Sequence, residues 1–464
     1  MILFIKAFIN MKVCMFVYNN FLNDTRVLKE ARSLIACGYE VAVIALSSRA
    51  TKPFEERDGI KVIRIKMPIH YRVFYSALDM LTGIKRGLIG LVSKGKDTIH
   101  AGNTDTSFNI NEGERGVLSR KSYAMKINLS VANPFKKRMM WLLITIHKLL
   151  SFVDFYFRSY SVAVKYSADI YHANDLNTLP VAWLVARCCS AKLVYDSHEL
   201  YVEKNKLTPS NFIGKFLLSK VEAFLIRRTD AVMTVNESIA DELSQRYHIK
   251  TPAVIMNAPS RSNGVIKNDV NLLRDALGIK PDYYMLLYLG FLTFNRGIEK
   301  MIQSLEYLPN CHLVLMGYGT DWYKKQLRDL ILKNGVEPRV SFFGPVPSDE
   351  VIKYAAGADL GVAPIENACL SYYYCSPNKV FEYINAGLAV VASDFPELKR
   401  VINNHEIGCT FNPDEPRDIA RAVEYIFEDP ERWRRMKQNT IAASNCYNWE
   451  NESEKFLSLY KTIS

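Results

Sequence analysis

The chain has 464 residues, 49% of them apolar, and its 59 Lys and Arg against 48 Asp and Glu leave a net charge of +11. That length exceeds one ordinary core and suits two domains of about 200 residues each, with the composition of a soluble globular protein. An integral membrane protein is not expected, because the most apolar stretch, residues 139–157, is interrupted by His147, Lys148 and Asp154.

Residues 1–10 are apolar but lack the charged start and small-residue cleavage site of a secretory signal. They precede Met11, which opens the first recognisable strand, so they read as a start codon assigned too early, with a membrane-touching N-terminus as the alternative. Residues 11–17 form that strand, 24–37 a helix stopped by Gly38, and 40–46 a second strand, which together make a Rossmann-type unit. A third strand is expected at 62–65.

A basic segment follows. Between Leu81 and Lys165 fourteen Lys and Arg face five acids, so nine of the net positive charges lie there and the rest of the chain is nearly neutral. Its middle, 97–116, is polar enough for a mobile loop. The run NPFKKRMMWLLITIHKLLSF sets Trp141, Leu142, Leu143 and Ile144 beside Lys136, Lys137 and Arg138. No nucleic-acid motif accompanies the charge, so the reading is an element on an anionic membrane surface, with a basic insertion packed on the domain as the alternative.

Strands at 170–173 and 192–195, separated by a helix at 179–189, end in the polar clusters HANDLNTLP and YDSHELY, at the edge where open α/β sheets bind ligands. The nine cysteines are scattered without a CxxC pair or a metal-ligand spacing. They read as reduced thiols packed as small apolar groups. The first domain closes through 230–235 and 253–256, and NAPSRSNGVIKND reads as a linker.

The second domain starts with a strand at 284–289, the turn GFLTFNRG and a helix at 298–305, where Arg296 can reach a diphosphate at the helix start. HLVLMGYG is a strand ending in Gly317 and Gly319, which let backbone approach a flat base. VSFFGPV is another strand. In SPNKVFEYINAGLAVVAS, Ser376 caps a helix over 377–386, Gly387 stops it, and 388–392 is a buried strand, which sets Glu382 inside a buried layer. A helix start carrying Asn378 and Lys379 is an anion site, and a carboxylate one turn on can accept from two ribose hydroxyls. Together they suit a nucleotide diphosphate. The segment from Cys446 onward reads as an amphipathic terminal helix.

At these motifs the chain resembles the retaining glycosyltransferases of family 4, the glycosyl transferases group 1. That resemblance implies an α/β protein with two Rossmann-like domains facing a cleft, the GT-B architecture. The implied division is a first, acceptor-binding domain over 11–262 with the basic insertion at about 81–165, a nucleotide-sugar domain over 275–445, and a helix over 446–464 crossing back to the first domain. Glu382 matches the family glutamate that holds the ribose. The family's sugar-contacting glutamate, eight positions earlier, falls on Tyr374. Relatives carry an arginine just after the glycine that is Gly290 here, but Phe291 takes that place and Arg296 the second basic one, so that Lys379 stands in for the missing cation. Pro345 and Val346 line the base pocket. His198 matches the histidine beside the donor sugar, and Asp175 and Glu199 fit the acceptor wall. The loop YNNFLNDTR lacks the usual glycines and offers Asn23, Asp24 and Arg26 as polar rim residues instead.

The implied activity is retaining transfer of a hexose from a nucleotide sugar to a lipid-linked or polysaccharide acceptor, in the cytoplasm on the inner face of the cytoplasmic membrane. The nucleotide sugar is a substrate; no cofactor, metal or nucleic-acid partner is expected. No Asp-x-Asp pair offers itself for a divalent ion, so Arg296, Lys379 and the helix start must meet the leaving-group charge. A weakly active nucleotide-sugar-binding partner subunit and a nucleotide-sugar epimerase of the same architecture are the alternatives.

Overall fold

The structure, a computed structural model, describes residues 11–48, 51–66, 134–204, 212–261 and 271–464. The expectations for residues 1–10, for the loop at 97–116 and for most of the linker lie outside the described residues. The chain divides into two compact units after Leu193.

The first unit opens with β1 (Lys12–Phe16), α1 (Thr25–Ala36) and β2 (Glu40–Leu46). β3 (Phe54–Arg57), which the sequence reading missed, forms an antiparallel hairpin with β4 (Ile60–Ile65). Its signal was the Asp58-Gly59 pair, both at positive φ (55° and 77°), as a two-residue hairpin turn of the right twist requires. α2 (Pro134–Tyr166), β5 (Ile170–Asn174) and α3 (Leu179–Cys189) follow. β1 pairs in parallel with both β2 and β5, so the order turns round between β1 and β5. α2 packs through Phe152 and Phe155, whose rings lie 4.7 and 4.9 Å from that of Tyr18. Its other face leaves Phe135, Leu142, Leu149, Val153 and Phe157 exposed. Among the described residues no helix is long and apolar enough to cross a membrane.

β6 (Lys192–Ser197), α4 (Phe212–Ile226), β7 (Ala231–Thr234), α5 (Glu237–Tyr247) and β8 (Ala253–Val254) come next, completing an eight-stranded sheet of order β3-β4-β2-β1-β5-β6-β7-β8. The second sheet is parallel throughout, ordered β11-β10-β9-β12-β13-β14. In chain order its elements are α6 (Leu272–Leu277), β9 (Tyr284–Leu289), α7 (Ile298–Ser304), β10 (Cys311–Met316), α8 (Asp321–Lys333), β11 (Val340–Phe343), α9 (Val351–Ala355), β12 (Leu360–Ala363), α10 (Leu370–Tyr373), α11 (Asn378–Asn385), β13 (Ala389–Ser393), α12 (Pro396–His405), β14 (Gly408–Phe411), α13 (Pro416–Phe427), α14 (Pro430–Cys446) and α15 (Trp449–Ile463).

Its strands read as near-continuous apolar runs because both faces are covered. One face packs on α7, α8 and α13 through Ile302, Leu327 and Val423, the other on α11 and α12 through Phe381, Ile384 and Leu398. The terminal helix α15 meets the stretch after β8: Glu452 accepts from the Met256 N–H at 2.8 Å and Glu450 from that of Arg261 at 2.9 Å.

Two expectations for the 376–393 stretch are corrected. Pro377, not Ser376, occupies the N-cap of α11, and no side chain caps that turn; the Ser376 hydroxyl instead accepts from Asn236 Nδ2 at 3.0 Å. Glu382 is half-buried rather than inside the core layer. It shares the one open face of α11 with Asn378, four residues earlier, while Val380, Phe381, Tyr383 and Ile384 take the buried side.

Candidate active site

The second sheet reverses its strand order between β9 and β12, and open α/β sheets bind ligands beyond the carboxyl ends of their strands at such a point. β9 runs into Gly290 (φ 119°) and β10 into Gly317 (φ 143°), conformations that only glycine takes without strain. A Cβ on Gly317 would stand 2.1 Å from the Gly290 carbonyl oxygen, and one on Gly319 2.7 Å from Leu292 Cβ. These glycines, expected beside a flat base, also let two sheet-end loops close on one another, joined by the Gly290 N–H donating to Met316 O at 3.0 Å.

Tyr383 ties α11 to this point. Its phenol oxygen accepts from the Leu289 N–H at 2.9 Å and faces Leu287 O at 2.8 Å and Val362 O at 3.0 Å, so one side chain bridges β9 and β12. Burial holds that phenol well above its ordinary pKa and therefore protonated. One turn earlier on the same helix, Lys379 runs under the β9 loop, where a Cβ on Gly290 would meet its Cε at 3.8 Å. Its Nζ lies 3.5 Å from the centroid of the Tyr288 ring.

Lys379 is 8% exposed, and its amine has no hydrogen-bond partner among the described residues. Burial, and after it the Arg296 charge, push its pKa well below the usual lysine range, while Glu382 and Cys375 pull the other way. Arg296 sits between Asn295 (φ 60°) and Gly297 (φ 66°), with its guanidinium 4.6 Å from the centroid of the Tyr372 ring. Asn378 is exposed at the start of α11 and accepts from Asn257 Nδ2 at 3.2 Å. The structure thus brings Gly290, Arg296, Lys379 and Glu382 to one place: two basic side chains and a carboxylate around an uncapped helix start. A diphosphate would supply the acceptors that the Lys379 amine lacks.

Pro345 and Val346 are half-buried in the loop after β11, and Val346 packs on the α11 side of the core. The Tyr374 carbonyl accepts from Asn236 Nδ2 at 2.7 Å. Burial raises the pKa of its phenol, followed by the Glu242 charge, so its electrostatic neighbours are on α5 rather than at Lys379. His198, just after β6, has its Nε2 3.8 Å from Glu199 Oε1, and Glu199 is held by Lys204 at 2.6 Å.

In the first unit Asp24 is the N-cap of α1, accepting from the Val27 N–H at 3.2 Å, and its other oxygen accepts from Asn19 Nδ2 at 2.8 Å. Asn23 is exposed beside it, whereas Arg26, expected on the rim, is turned inward and buried. It lies near His172, whose Nε2 is 4.0 Å from Glu30 Oε2. Burial first and Arg26 second hold the His172 pKa down to about 3, so the ring is neutral although a carboxylate stands close by. Asp175 follows β5 at φ 67°, outside the ordinary range of a non-glycine residue.

Two family models match the chain, Glycosyltransferase Family 4 over residues 133–258 and Glycosyl transferases group 1 over 269–443. The chain belongs to the group 1 glycosyltransferases. An uncharacterised glycosyltransferase of Methanocaldococcus jannaschii is 28% identical over 322 residues, 63% of this chain and 75% of that one. A D-inositol 3-phosphate glycosyltransferase of Xylanimonas cellulosilytica is 23% identical over 306 residues, 63% and 71% of the two chains. Among solved structures, Anabaena HepE in complex with UDP-glucose superposes with a TM-score of 0.65 at 14% identity, covering 98% of this chain and all (100%) of the other. The fold is accordingly GT-B.

In this group 1 glycosyltransferase the second matched segment contains β9 through β14 and with them Gly290, Arg296, Lys379 and Glu382. The sequence reading passed over Tyr288, Gly361 and Tyr383, the residues that fix where Lys379 stands. Gly361 carried a signal, since a lone glycine inside a buried strand marks a close approach. For Tyr383 there was none, because a tyrosine on the buried face of a helix looks like any core aromatic.

Proposed function

We propose that this glycosyltransferase moves a hexose from a nucleotide sugar to a hydroxyl of a lipid-linked or polysaccharide acceptor, with retention and without a metal. The observation that carries the donor part is the Lys379 amine, buried, lacking a hydrogen-bond partner among the described residues and close to the Arg296 charge. Arg296 and Lys379 meet the negative charge that grows on the departing diphosphate, and the two Glu382 oxygens accept from the ribose hydroxyls. The acceptor oxygen bonds to the anomeric carbon on the face from which the phosphate leaves. The anomeric carbon–phosphate oxygen bond breaks, and the acceptor proton passes to the departing phosphate. No protein nucleophile is needed. HepE was crystallised with UDP-glucose, which makes that sugar nucleotide the first donor to try.

The acceptor reading draws on α2, which forms the last part of the basic segment and turns Phe135, Leu142, Leu149 and Phe157 outward. A peripheral enzyme on the inner face of the cytoplasmic membrane would meet a lipid-linked acceptor there. Thermal stabilisation by UDP-, GDP- and ADP-sugars tests the donor, since a ligand at about 100 times its dissociation constant adds roughly 2.7 kcal/mol. Glu382→Ala should weaken nucleotide binding by about 1.5 to 3 kcal/mol. Unchanged binding would remove the ribose assignment, and activity that needs added manganese would remove the metal-free one.

A further inference from the structure

α4 is built the wrong way round for a surface helix. Its one acidic residue, Glu222, is 1% exposed, accepting from the phenols of Tyr195 and Tyr247, both at 2.7 Å. Leu225 and Ile226 share its buried side, but most of its large apolar residues point out: Phe212 is 82% exposed, Ile213 63%, Leu217 58% and Phe216 52%, with Val221 and Phe224 continuing the stripe. An ordinary amphipathic helix puts such residues in the core and its charges in water. A contiguous apolar patch of this kind marks a contact surface rather than scattered exposure.

The charges around the stripe say what covers it. Over residues 212–228 Lys220, Arg227 and Arg228 stand against the single acid Glu222, which is turned inward, while Lys215 is paired with Glu203 at 2.5 Å. The Lys220 amine lies 5.2 Å from the Phe216 ring centroid and the Arg228 guanidinium 3.5 Å from that of Phe224, so cations border the outward aromatics. At the C-terminal end of the helix Lys220, Arg227, Arg228 and His248 line a pocket of about 450 Å³ that has no acidic residue in its wall. Arg246, also in that wall, is already paired with Glu242 and Glu203. A second copy of the chain meeting the same face by two-fold symmetry would bring these cations together, which disfavours it. A surface apolar beneath and negative above suits both features.

We propose that α4 is a membrane-docking helix, its outward stripe entering the interface of an anionic phospholipid bilayer while Lys220 and Arg228 meet head-group phosphates. This surface is separate from the basic segment invoked for the peripheral reading and does not depend on which acceptor is used.

Flotation of the full chain with phosphatidylcholine vesicles and with mixed phosphatidylcholine–phosphatidylglycerol vesicles tests it. Lys220→Glu with Arg228→Glu should lower partitioning onto the mixed vesicles by at least roughly 30-fold, as expected for two surface cations. Phe216→Ser with Leu217→Ser and Phe224→Ser should lower it on both kinds, with nucleotide binding retained because the changed side chains point outward. Charge reversal of Lys136, Lys137 and Arg138 is floated in parallel. Loss in that variant alone overturns the α4 proposal and leaves the peripheral reading standing. Loss in the α4 variants alone supports α4. A wild-type chain that stays off both vesicles, or whose serine variant differs only in self-association by sedimentation, overturns the proposal in favour of a protein contact.

Discussion

The Tyr383 ring lies where a side chain on residue 361 would stand: a Cβ on Gly361 would be 2.4 Å from the ring carbon Cγ. This one close approach holds α11 against the switch point of the second sheet and so sets the position of Lys379, one turn earlier.

Gly361→Ala should therefore displace the tyrosine and cost at least about 1–3 kcal/mol, as overpacking of a core does. Nucleotide affinity should fall with it, because the helix start moves. Chemical denaturation and a nucleotide titration on the same sample check both. Full stability would mean that the ring has another place to go.

Lys379→Met should leave the melting temperature unchanged or raise it, since it removes a buried amine that lacks a hydrogen-bond partner among the described residues, yet it should weaken nucleoside diphosphate binding. The wild-type pH dependence has a definite sign. In the empty protein burial and Arg296 hold the amine's pKa down, and a bound diphosphate raises it, so at a pH between the two values binding is linked to proton uptake and affinity falls as pH rises. Binding enthalpies that vary with the buffer's own ionisation enthalpy would report the uptake. Identical proton uptake in wild type and Lys379→Met would assign it elsewhere.

His172 should make the fold acid-sensitive. Its pKa is about 3 when folded against an ordinary 6.5. A depressed value means that the stability it contributes is fully present above 6.5 and is lost as pH falls toward 3. His172→Gln should flatten that part of the stability–pH curve. Denaturant midpoints across the window provide the comparison, and equal slopes in the two proteins would contradict the assignment.

Much of the architecture was legible in the sequence because it is written in local patterns. The spans 179–189 and 284–289 were read with the bounds of α3 and β9, since a helix between clear stops and an unbroken buried run each announce themselves over a few residues. β3 was missed because four residues with two adjacent glutamates show no alternation that outweighs their charge. Glu382 was taken for buried because it sits between a helical and a strand-like apolar run, but direction around a helix, not proximity in sequence, decides which side a residue takes. The outward stripe of α4 went unread for the same reason: its apolar content is a property of the sequence, whereas the face that carries it is not.

By itself the sequence determined the strand–helix alternation, the glycines at the sheet ends and the chemical types gathered around the proposed diphosphate site. These follow from backbone propensity and from motifs that span a few residues. Only the tertiary structure decided that Lys379 lies beneath Gly290 and against Tyr288, that Arg26 turns inward toward His172, and that α4 buries its glutamate while exposing its phenylalanines. Each of these depends on a neighbour many residues away in the chain, or on which way a helix is rotated against its sheet. Side-chain environment is set by that packing, and so are the burial of a charge and the pKa that follows from it.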